Sequence, residues 1–115
     1  MNIVDLIVAF LFRMNVRGAS RFHTLVCGGR RLNVRSKHGV AFKIDPHEYV
    51  DGFILRRGYY EEEVLDAIRS SLNPGDVFWD VGSNLGLHAL TVAKLNSGSP
   101  IFAFEPNPKA CIQNP

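Results

Sequence analysis

The chain has 115 residues, of which 46% are hydrophobic and 21% charged, and its formal net charge is +2. That length suits one compact domain, and the ordinary composition argues against a disordered or fibrous chain. The two cysteines lie far apart without metal-ligand spacing, so we expect reduced thiols in a cytoplasmic protein rather than a disulfide framework.

Charge is distributed unevenly along the sequence. Residues 1–43 hold eight Arg or Lys against one acid, whereas residues 44–66 hold seven acids against Arg56 and Arg57. The basic segment 1–43 would suit contact with a membrane surface, a nucleic acid or an anionic substrate. Alternatively, its charges form a solvated face. No aromatic residues interleave with these charges in a nucleic-acid-binding pattern, so we expect no nucleic-acid partner.

The N-terminal apolar run Ile3–Phe12 has ten residues and contains Asp5, so it is too short to span a bilayer. No basic segment precedes it and no small-x-small cleavage site follows it, which argues against a secretory signal. The run predicts an amphipathic or buried helix that ends between Arg13 and Gly18. Membrane-surface contact through residues 1–21 is the alternative.

A β-hairpin and two helices are predicted next. Strand-like runs at residues 30–36 and 40–45 flank a turn at residues 37–39. The segment 47–58 predicts a short helix, broken at Gly52 and ended by Gly58. The following segment predicts a second helix, because its apolar residues recur at helical spacing: Val64, Leu65, Ile68 and Leu72. Its first turn holds the acids that the helix dipole favours: Glu61, Glu62 and Glu63.

Residues 77–105 read as a strand, a helix and a second strand: VFWDV, LGLHALTVAKL and IFAFE. Continuous apolar strands are typical of a parallel sheet buried on both faces, so we predict a βαβ unit with a right-handed crossover. The sequence ends ten residues after the second strand. We therefore expect either an unusually small fold or a fragment of a larger doubly wound domain with an incomplete sheet.

The loop after the first of these strands, WDVGSNLGLH, does not fit a phosphate ligand. Counting from Gly82, the second and third glycines of a dinucleotide fingerprint are replaced by Asn84 and Leu87. The carboxylate of Asp80 at the strand end would repel a pyrophosphate and would suit an ammonium group. Asn84 can adopt the left-handed backbone that a second glycine would supply.

A second acid, Glu105, follows the next strand, where acids hydrogen-bond ribose hydroxyls in nucleotide-binding βαβ units. Two acids at neighbouring strand ends, around a glycine loop without phosphate-binding residues, fit S-adenosylmethionine. This cofactor has an ammonium, a sulfonium and a ribose but no phosphate. Alternatively, Asp80 caps a helix and Glu105 is a solvated strand-end acid.

The stretch GDVFWDVGSNLGLHALTVAKL, with SPIFAFEPNPKA after it, resembles the FkbM-type S-adenosylmethionine-dependent methyltransferases. The resemblance extends upstream to RGASRF, RRGYYEEEVLDAI and NPGD, so it covers nearly the whole chain. It implies an α/β fold: the start of a Rossmann-like class I methyltransferase domain after an N-terminal helix, hairpin and helix region. Residues 1–72 would form that region, and residues 73–115 the first βαβ unit of the cofactor-binding domain.

The resemblance also implies roles for individual residues. The loop with Asp80 would hold the methionine moiety of S-adenosylmethionine and Glu105 its ribose, while His88 would lie nearby in the first turn of the helix. Glu61 would lie near the cofactor or serve only as an acid at a helix N-terminus. The implied cofactor-binding residues are Asp80, Gly82, Ser83, Asn84, Gly86, His88, Glu105 and Glu61; no catalytic base and no metal ligand is assigned.

The expected reaction, by resemblance, is O-methylation of a sugar or small-metabolite hydroxyl through in-line displacement. We expect this chain to be inactive by itself, because the family's remaining strands and substrate pocket lie beyond it. Two alternatives stay open. One is a non-catalytic module that binds cofactor or associates through an exposed sheet edge; the other is a peripheral membrane or polyanion-binding protein.

Overall fold

The computed structural model describes residues 1–96 and 98–111, apart from the side chain of Cys111. The fold is mixed α/β, with two compact units at residues 1–60 and 61–115. The elements of the first unit are α1 (Ile3–Arg13), α2 (Ala19–Cys27), β1 (Leu32–Arg35), β2 (Ala41–Ile44) and α3 (Tyr49–Arg57). The elements of the second unit are α4 (Glu62–Ser71), β3 (Phe78–Val81), α5 (Leu87–Leu95), β4 (Ile101–Phe104) and α6 (Pro108–Cys111).

Helix α1 confirms the predicted N-terminal helix. The side chain of Asn2 accepts a hydrogen bond from the Asp5 N–H and caps the helix. The buried side, with Val8 and Phe12, contributes to the core, and α1 packs against α2, α3 and β1. No helix in the described ranges has the length and apolar character of a membrane span.

The carboxylate of Asp5 is fully buried and ties α1 to the chain around β1. Its Oδ1 accepts from Arg30 Nη2 at 2.7 Å, and its Oδ2 accepts from the backbone N–H and the side-chain amide of Asn33, both at 3.2 Å. Burial raises the pKa of Asp5, but the hydrogen bonds from Arg30 and Asn33 outweigh it, so the pKa lies below its usual value. The acid that interrupts the apolar run therefore helps to hold α1 against the chain around β1.

The predicted hairpin is confirmed. Strands β1 and β2 pair antiparallel, with Leu32 opposite Ile44 and Val34 opposite Phe42. These four side chains are buried and their neighbours along each strand are exposed, which is the alternation expected of a sheet with one solvated face.

Helix α3 corrects the prediction of a break at Gly52. The helix runs unbroken from Tyr49 to Arg57, and the Gly52 N–H donates to the Glu48 carbonyl at 2.8 Å. A Cβ at position 52 would lie 3.1 Å from the Pro46 carbonyl oxygen. The glycine allows this close approach and does not end the helix. Gly58, at φ +82°, ends it as predicted.

In the second unit, β3 and β4 pair in parallel, with Phe78 opposite Ile101 and Val81 opposite Phe104. This pairing confirms the parallel βαβ unit. Helix α5 packs on both strands and on α4. The boundary between the two compact units falls after residue 60, so α4 belongs to the same unit as the βαβ element. The domain boundary that the sequence predicts after residue 72 stays a prediction.

The expectation that the strands are buried on both faces is wrong. The side chains of Trp79 and Val81 are 64% and 79% exposed, and Phe102 and Phe104 beside them are also exposed. Trp79 contacts both phenylalanines, with ring centroids 6.2 and 5.4 Å apart. The two-stranded sheet therefore presents an aromatic face to solvent.

The buried Asp5 network predicts a loss of stability in acid. We expect Asp5→Asn to lower the free energy of unfolding by about 2 kcal/mol at neutral pH, because it leaves Arg30 without its charged partner. Because the folded pKa is depressed, the contribution is present above the unfolded value of about 3.9 and is lost as pH falls through the folded pKa.

Urea denaturation of the wild type and the variant as a function of pH measures this effect. The control is Asp66→Asn, which removes an exposed acid of α4. Equal stability of Asp5→Asn and the wild type at neutral pH would contradict the structural role of Asp5.

Candidate functional site

The glycine loop between β3 and α5 has three residues in the left-handed backbone region. Their φ angles are +81° at Gly82, +51° at Asn84 and +79° at Gly86. The prediction that Asn84 adopts the conformation of a missing glycine is confirmed. Asparagine tolerates this region better than most residues, so the pattern Gly-x-Asn-x-Gly shapes the loop.

Backbone hydrogen bonds attach the loop to the end of β4. The carbonyl oxygen of Phe104 accepts from the N–H groups of Gly82 and Ser83 at 2.8 and 3.1 Å. The Ser83 carbonyl in turn accepts from the Gly86 N–H at 2.7 Å, just before α5 begins. Parallel pairing of β3 and β4 thus sets the position of the loop.

The carboxylate of Glu105 joins the loop to the segment after β4. Its Oε2 accepts from the backbone N–H of Asn84 at 2.7 Å, and its Oε1 accepts from the backbone N–H of Asn107 at 2.7 Å. These are short, charge-assisted bonds. Glu105 is therefore part of the loop's architecture and is more than a solvated strand-end acid.

Asp80 lies on β3 and reaches the start of α5. Its Oδ2 accepts from the Ala89 N–H at 3.2 Å, and Ala89 is the third residue of the helix. This contact realises the helix-capping alternative. In the described part of the chain, Oδ1 of Asp80 has no hydrogen-bond partner, so one carboxylate oxygen is left for a ligand.

Two further predicted residues meet at the N-terminus of α5. The Nε2 atom of His88 lies 3.5 Å from Oε2 of Glu61, and the His88 side chain is only 17% exposed. Glu61 itself is the N-cap of α4 and has a left-handed backbone at φ +56°. A shared imidazole–carboxylate contact thus links α4 to the helix that follows the glycine loop.

The structure therefore brings the predicted residues into one region. Asn84 contacts Glu105 directly, Asp80 contacts the first turn of α5, and His88 of that turn contacts Glu61. Within the described ranges, no cluster of three or more His, Cys, Asp or Glu is arranged to hold a metal ion. The arrangement offers carboxylate oxygens and glycine backbone to a ligand.

Sequence reasoning missed a histidine pair in the first unit. Buried His23 donates from Nε2 to the Arg30 carbonyl at 2.8 Å, and its Nδ1 lies 3.4 Å from Nε2 of His47. Ser20 lies 3.5 Å from the other ring nitrogen of His47. The two histidines are 24 residues apart, and no motif spacing in the sequence signals their contact.

Comparison with known proteins gives one partial relative. Over 49 residues, or 42% of this chain, the sequence is 45% identical to the hexuronic acid methyltransferase AglP of Haloferax volcanii. The matched segment is 19% of that enzyme's length. No family model matches the chain, and no solved structure matches it. The matched part of this chain is thus similar to about a fifth of a methyltransferase.

The Glu105 contacts predict a local effect on the loop. We expect Glu105→Ala to speed hydrogen exchange of the Asn84 and Asn107 amides by at least about tenfold, because both N–H groups lose a charged acceptor. Residue-resolved hydrogen exchange by NMR measures this change. Asp66→Ala, which removes an exposed acid of the same unit, should leave both rates unchanged. Unchanged exchange at Asn84 in the Glu105 variant would refute the contact.

The backbone of Asn84 predicts a second effect. Asn84→Ala should lower the free energy of unfolding by about 1 kcal/mol, whereas Asn84→Gly should be close to neutral, because glycine adopts positive φ without steric cost. Chemical denaturation compares the two variants. Asn96→Ala, at a φ of −118°, is the matched control and should behave like the wild type.

Proposed function

We propose that this chain is part of an S-adenosylmethionine-dependent methyltransferase of the FkbM type that methylates a hydroxyl of a sugar or small metabolite. The observation that carries the proposal is the loop geometry. A glycine loop with three left-handed residues lies between two carboxylates, Asp80 and Glu105, at the ends of paired parallel strands. This constellation suits a cationic, phosphate-free nucleoside cofactor.

Asp80 is the proposed partner of the cofactor's ammonium group. One oxygen caps α5 through the Ala89 N–H, which fixes the carboxylate in place, while the other has no partner among the described residues. A fixed carboxylate with one open oxygen can accept a charge-assisted hydrogen bond from an ammonium. The same charge disfavours a pyrophosphate, which separates this loop from a dinucleotide site.

Glu105 is the proposed ribose ligand, and its backbone contacts are compatible with that role. Oε2 accepts from the Asn84 N–H and Oε1 from the Asn107 N–H, both at 2.7 Å. A carboxylate oxygen accepts more than one hydrogen bond, so we expect a ribose hydroxyl to donate to Glu105 while both amides remain bonded. The two backbone donors hold the acceptor in position for the ligand.

When bound, S-adenosylmethionine supplies an electrophilic methyl group on its sulfonium. The proposed role of this chain's residues is to hold that methyl group in line with the attacking oxygen. Alignment of this kind lowers the reaction barrier by about 7–11 kcal/mol in favourable cases. A substrate hydroxyl that attacks the methyl carbon must also release its proton to a base. That base stays unassigned, and His88 with Glu61 is proposed only to border the cofactor.

The acceptor class rests on two lines of support. The resemblance to the FkbM type implies a sugar or small-metabolite hydroxyl. The partial relative carries hexuronic acid in its name, which favours a carbohydrate acceptor. Because the match spans less than a fifth of that enzyme, the acceptor is a proposal for the whole protein.

The proposal is tested by titrating S-adenosylmethionine into the chain and following the amide NMR shifts of residues 82–86, which report even weak binding. We expect Asp80→Ala, Asp80→Asn and Glu105→Ala each to weaken binding by about tenfold or more, since each removes a charged acceptor. The asparagine variant keeps an oxygen for the helix cap and so isolates the charge.

Asp66→Ala serves as the control and should bind like the wild type, and the dinucleotide NAD should shift none of the loop amides. Unchanged S-adenosylmethionine binding in both the Asp80 and Glu105 variants would reject the cofactor assignment. Binding of NAD at comparable affinity would reject the argument from charge.

A further inference from the structure

The first unit is strongly basic. Residues 1–60 contain ten Arg or Lys against four Asp or Glu. In the described chain, the ion pair Arg30–Asp5 engages one of these cations. The first unit therefore has six more bases than acids.

Several of these cations line one cavity of about 480 Å³. They come from α1, from the end of β1 with its turn, and from the last turn of α3. The lining consists of Arg13, Arg35, Ser36, Lys37, Arg56, Arg57 and Gly58. This lining contains no carboxylate, so the cavity concentrates positive charge from three separate elements.

Backbone carbonyls hold two of the arginines. Arg13 donates from Nε to the Leu55 carbonyl at 3.1 Å, and Arg35 donates from Nη1 to the Gly39 carbonyl at 2.7 Å. Each bond uses one of the five guanidinium donors and leaves the others. Neither arginine forms an ion pair with a described carboxylate, so both are oriented and electrostatically uncompensated.

The two arginines of α3 are also held without a carboxylate from the described chain. Arg56 donates from Nη1 to the Gly52 carbonyl at 3.3 Å, and the Arg57 guanidinium lies 5.9 Å from the centre of the Phe53 ring. The positive charges of both arginines are stabilised at the C-terminus of α3 by the helix dipole. A purely structural role at that terminus does not require Arg13 and Arg35 to converge on the same cavity.

The turn contributes a buried hydroxyl to the cavity wall. Ser36 is 4% exposed, and its Oγ accepts from the Val40 N–H at 3.2 Å but donates to no residue in the described chain. The Lys37 N–H bonds to the Gly58 carbonyl at 2.9 Å, which fixes this wall against the end of α3. Guanidinium groups with a hydroxyl donor suit the oxygens of a phosphate.

An apolar stripe lies beside this cavity. The outer side of α1 exposes large apolar side chains at helical spacing: Ile3, Leu6, Ile7, Phe10 and Met14. A groove of about 280 Å³ runs along it, lined by Leu6 and Phe10 among others, and it shares Arg13 and Arg35 with the basic cavity. Apolar and cationic surfaces are thus continuous.

We propose that the first unit docks on the surface of an anionic phospholipid bilayer. The cavity lined by Arg13, Arg35, Arg56 and Arg57 receives headgroup phosphates, and the outer side of α1 enters the interface between headgroups and acyl chains. Charge complementarity favours this occupant, because an apolar helix face bordered by unpaired arginines matches both layers of a bilayer surface. The inference does not depend on the proposed methyl transfer.

Co-sedimentation with vesicles tests the proposal on the full chain. Binding should be strong to mixed phosphatidylcholine–phosphatidylglycerol vesicles and weak to pure phosphatidylcholine, and should fall with salt. Arg35→Ser with Arg57→Ser should lower the partition coefficient by about 30-fold. The charge-matched control, Arg69→Ser with Lys109→Ser in the second unit, should bind like the wild type.

A second pair of variants tests the apolar contribution. Leu6→Ser with Phe10→Ser should lower the partition coefficient by at least about tenfold, because two exposed apolar side chains no longer enter the interface. Val64→Ser with Val77→Ser, at exposed positions of the second unit, is the control. Circular dichroism of each variant confirms that its helices are retained.

Three outcomes would overturn the inference. These are equal binding to both vesicle types, equal binding of the arginine pair variant and its control, or binding that is unaffected by the apolar pair variant. Inorganic phosphate and glycerol phosphate form a further arm of the experiment. If they bind the cavity with arginine dependence while the vesicles do not, the site is one for soluble anions, and the bilayer proposal is wrong.

Discussion

The geometry of the candidate site depends on one carboxylate that neutralises two backbone donors. Glu105, directly after β4, accepts from the N–H of Asn84 in the glycine loop and from the N–H of Asn107 two residues further along the chain. The N–H groups of Gly82 and Ser83 bond to the Phe104 carbonyl, and the N–H of Asn84 finds its acceptor in Glu105. Parallel pairing of β3 with β4 puts the acid at the required place. The shape of the glycine loop and the position of Glu105 therefore depend on each other.

The structural and ligand-binding interpretations of the two acids are compatible with each other. Asp80 caps α5 with one oxygen, while Glu105 bonds to the loop with one oxygen and to the Asn107 N–H with the other, so each side chain is restrained before any ligand arrives. A ligand that then binds such an acid does not have to order it. Helix capping in this loop is thus evidence of preorganisation, and it leaves the proposed roles of both acids intact.

The sequence predicted features that local chemistry determines and missed those that depend on distant neighbours. Asn84 between two glycines indicated its left-handed backbone, and the apolar runs indicated the parallel βαβ unit. Gly52 was misread as a helix breaker because the sequence does not show that the Pro46 carbonyl approaches this position closely, which favours a glycine there. Helix α2 begins at Ala19, and its N-cap residue Gly18 has no side chain to cap it, so its start had no local signal. The exposure of Trp79 depends on what covers the sheet, which periodicity does not reveal.

The two units carry opposite charge, and this separation connects the two proposals. The first has ten bases and four acids, while residues 61–115 have three bases and seven acids. The net charge of +2 for the whole chain hides this separation, because the opposite charges of the two units largely cancel in the sum. Salt limits the reach of each field to a Debye length of about 8 Å. Locally, an acidic unit favours a cofactor with ammonium and sulfonium charges, and a basic unit with an apolar helix face favours phosphate headgroups. If both proposals hold, reversing the charge balance of one unit weakens the binding proposed for that unit and leaves the other unchanged.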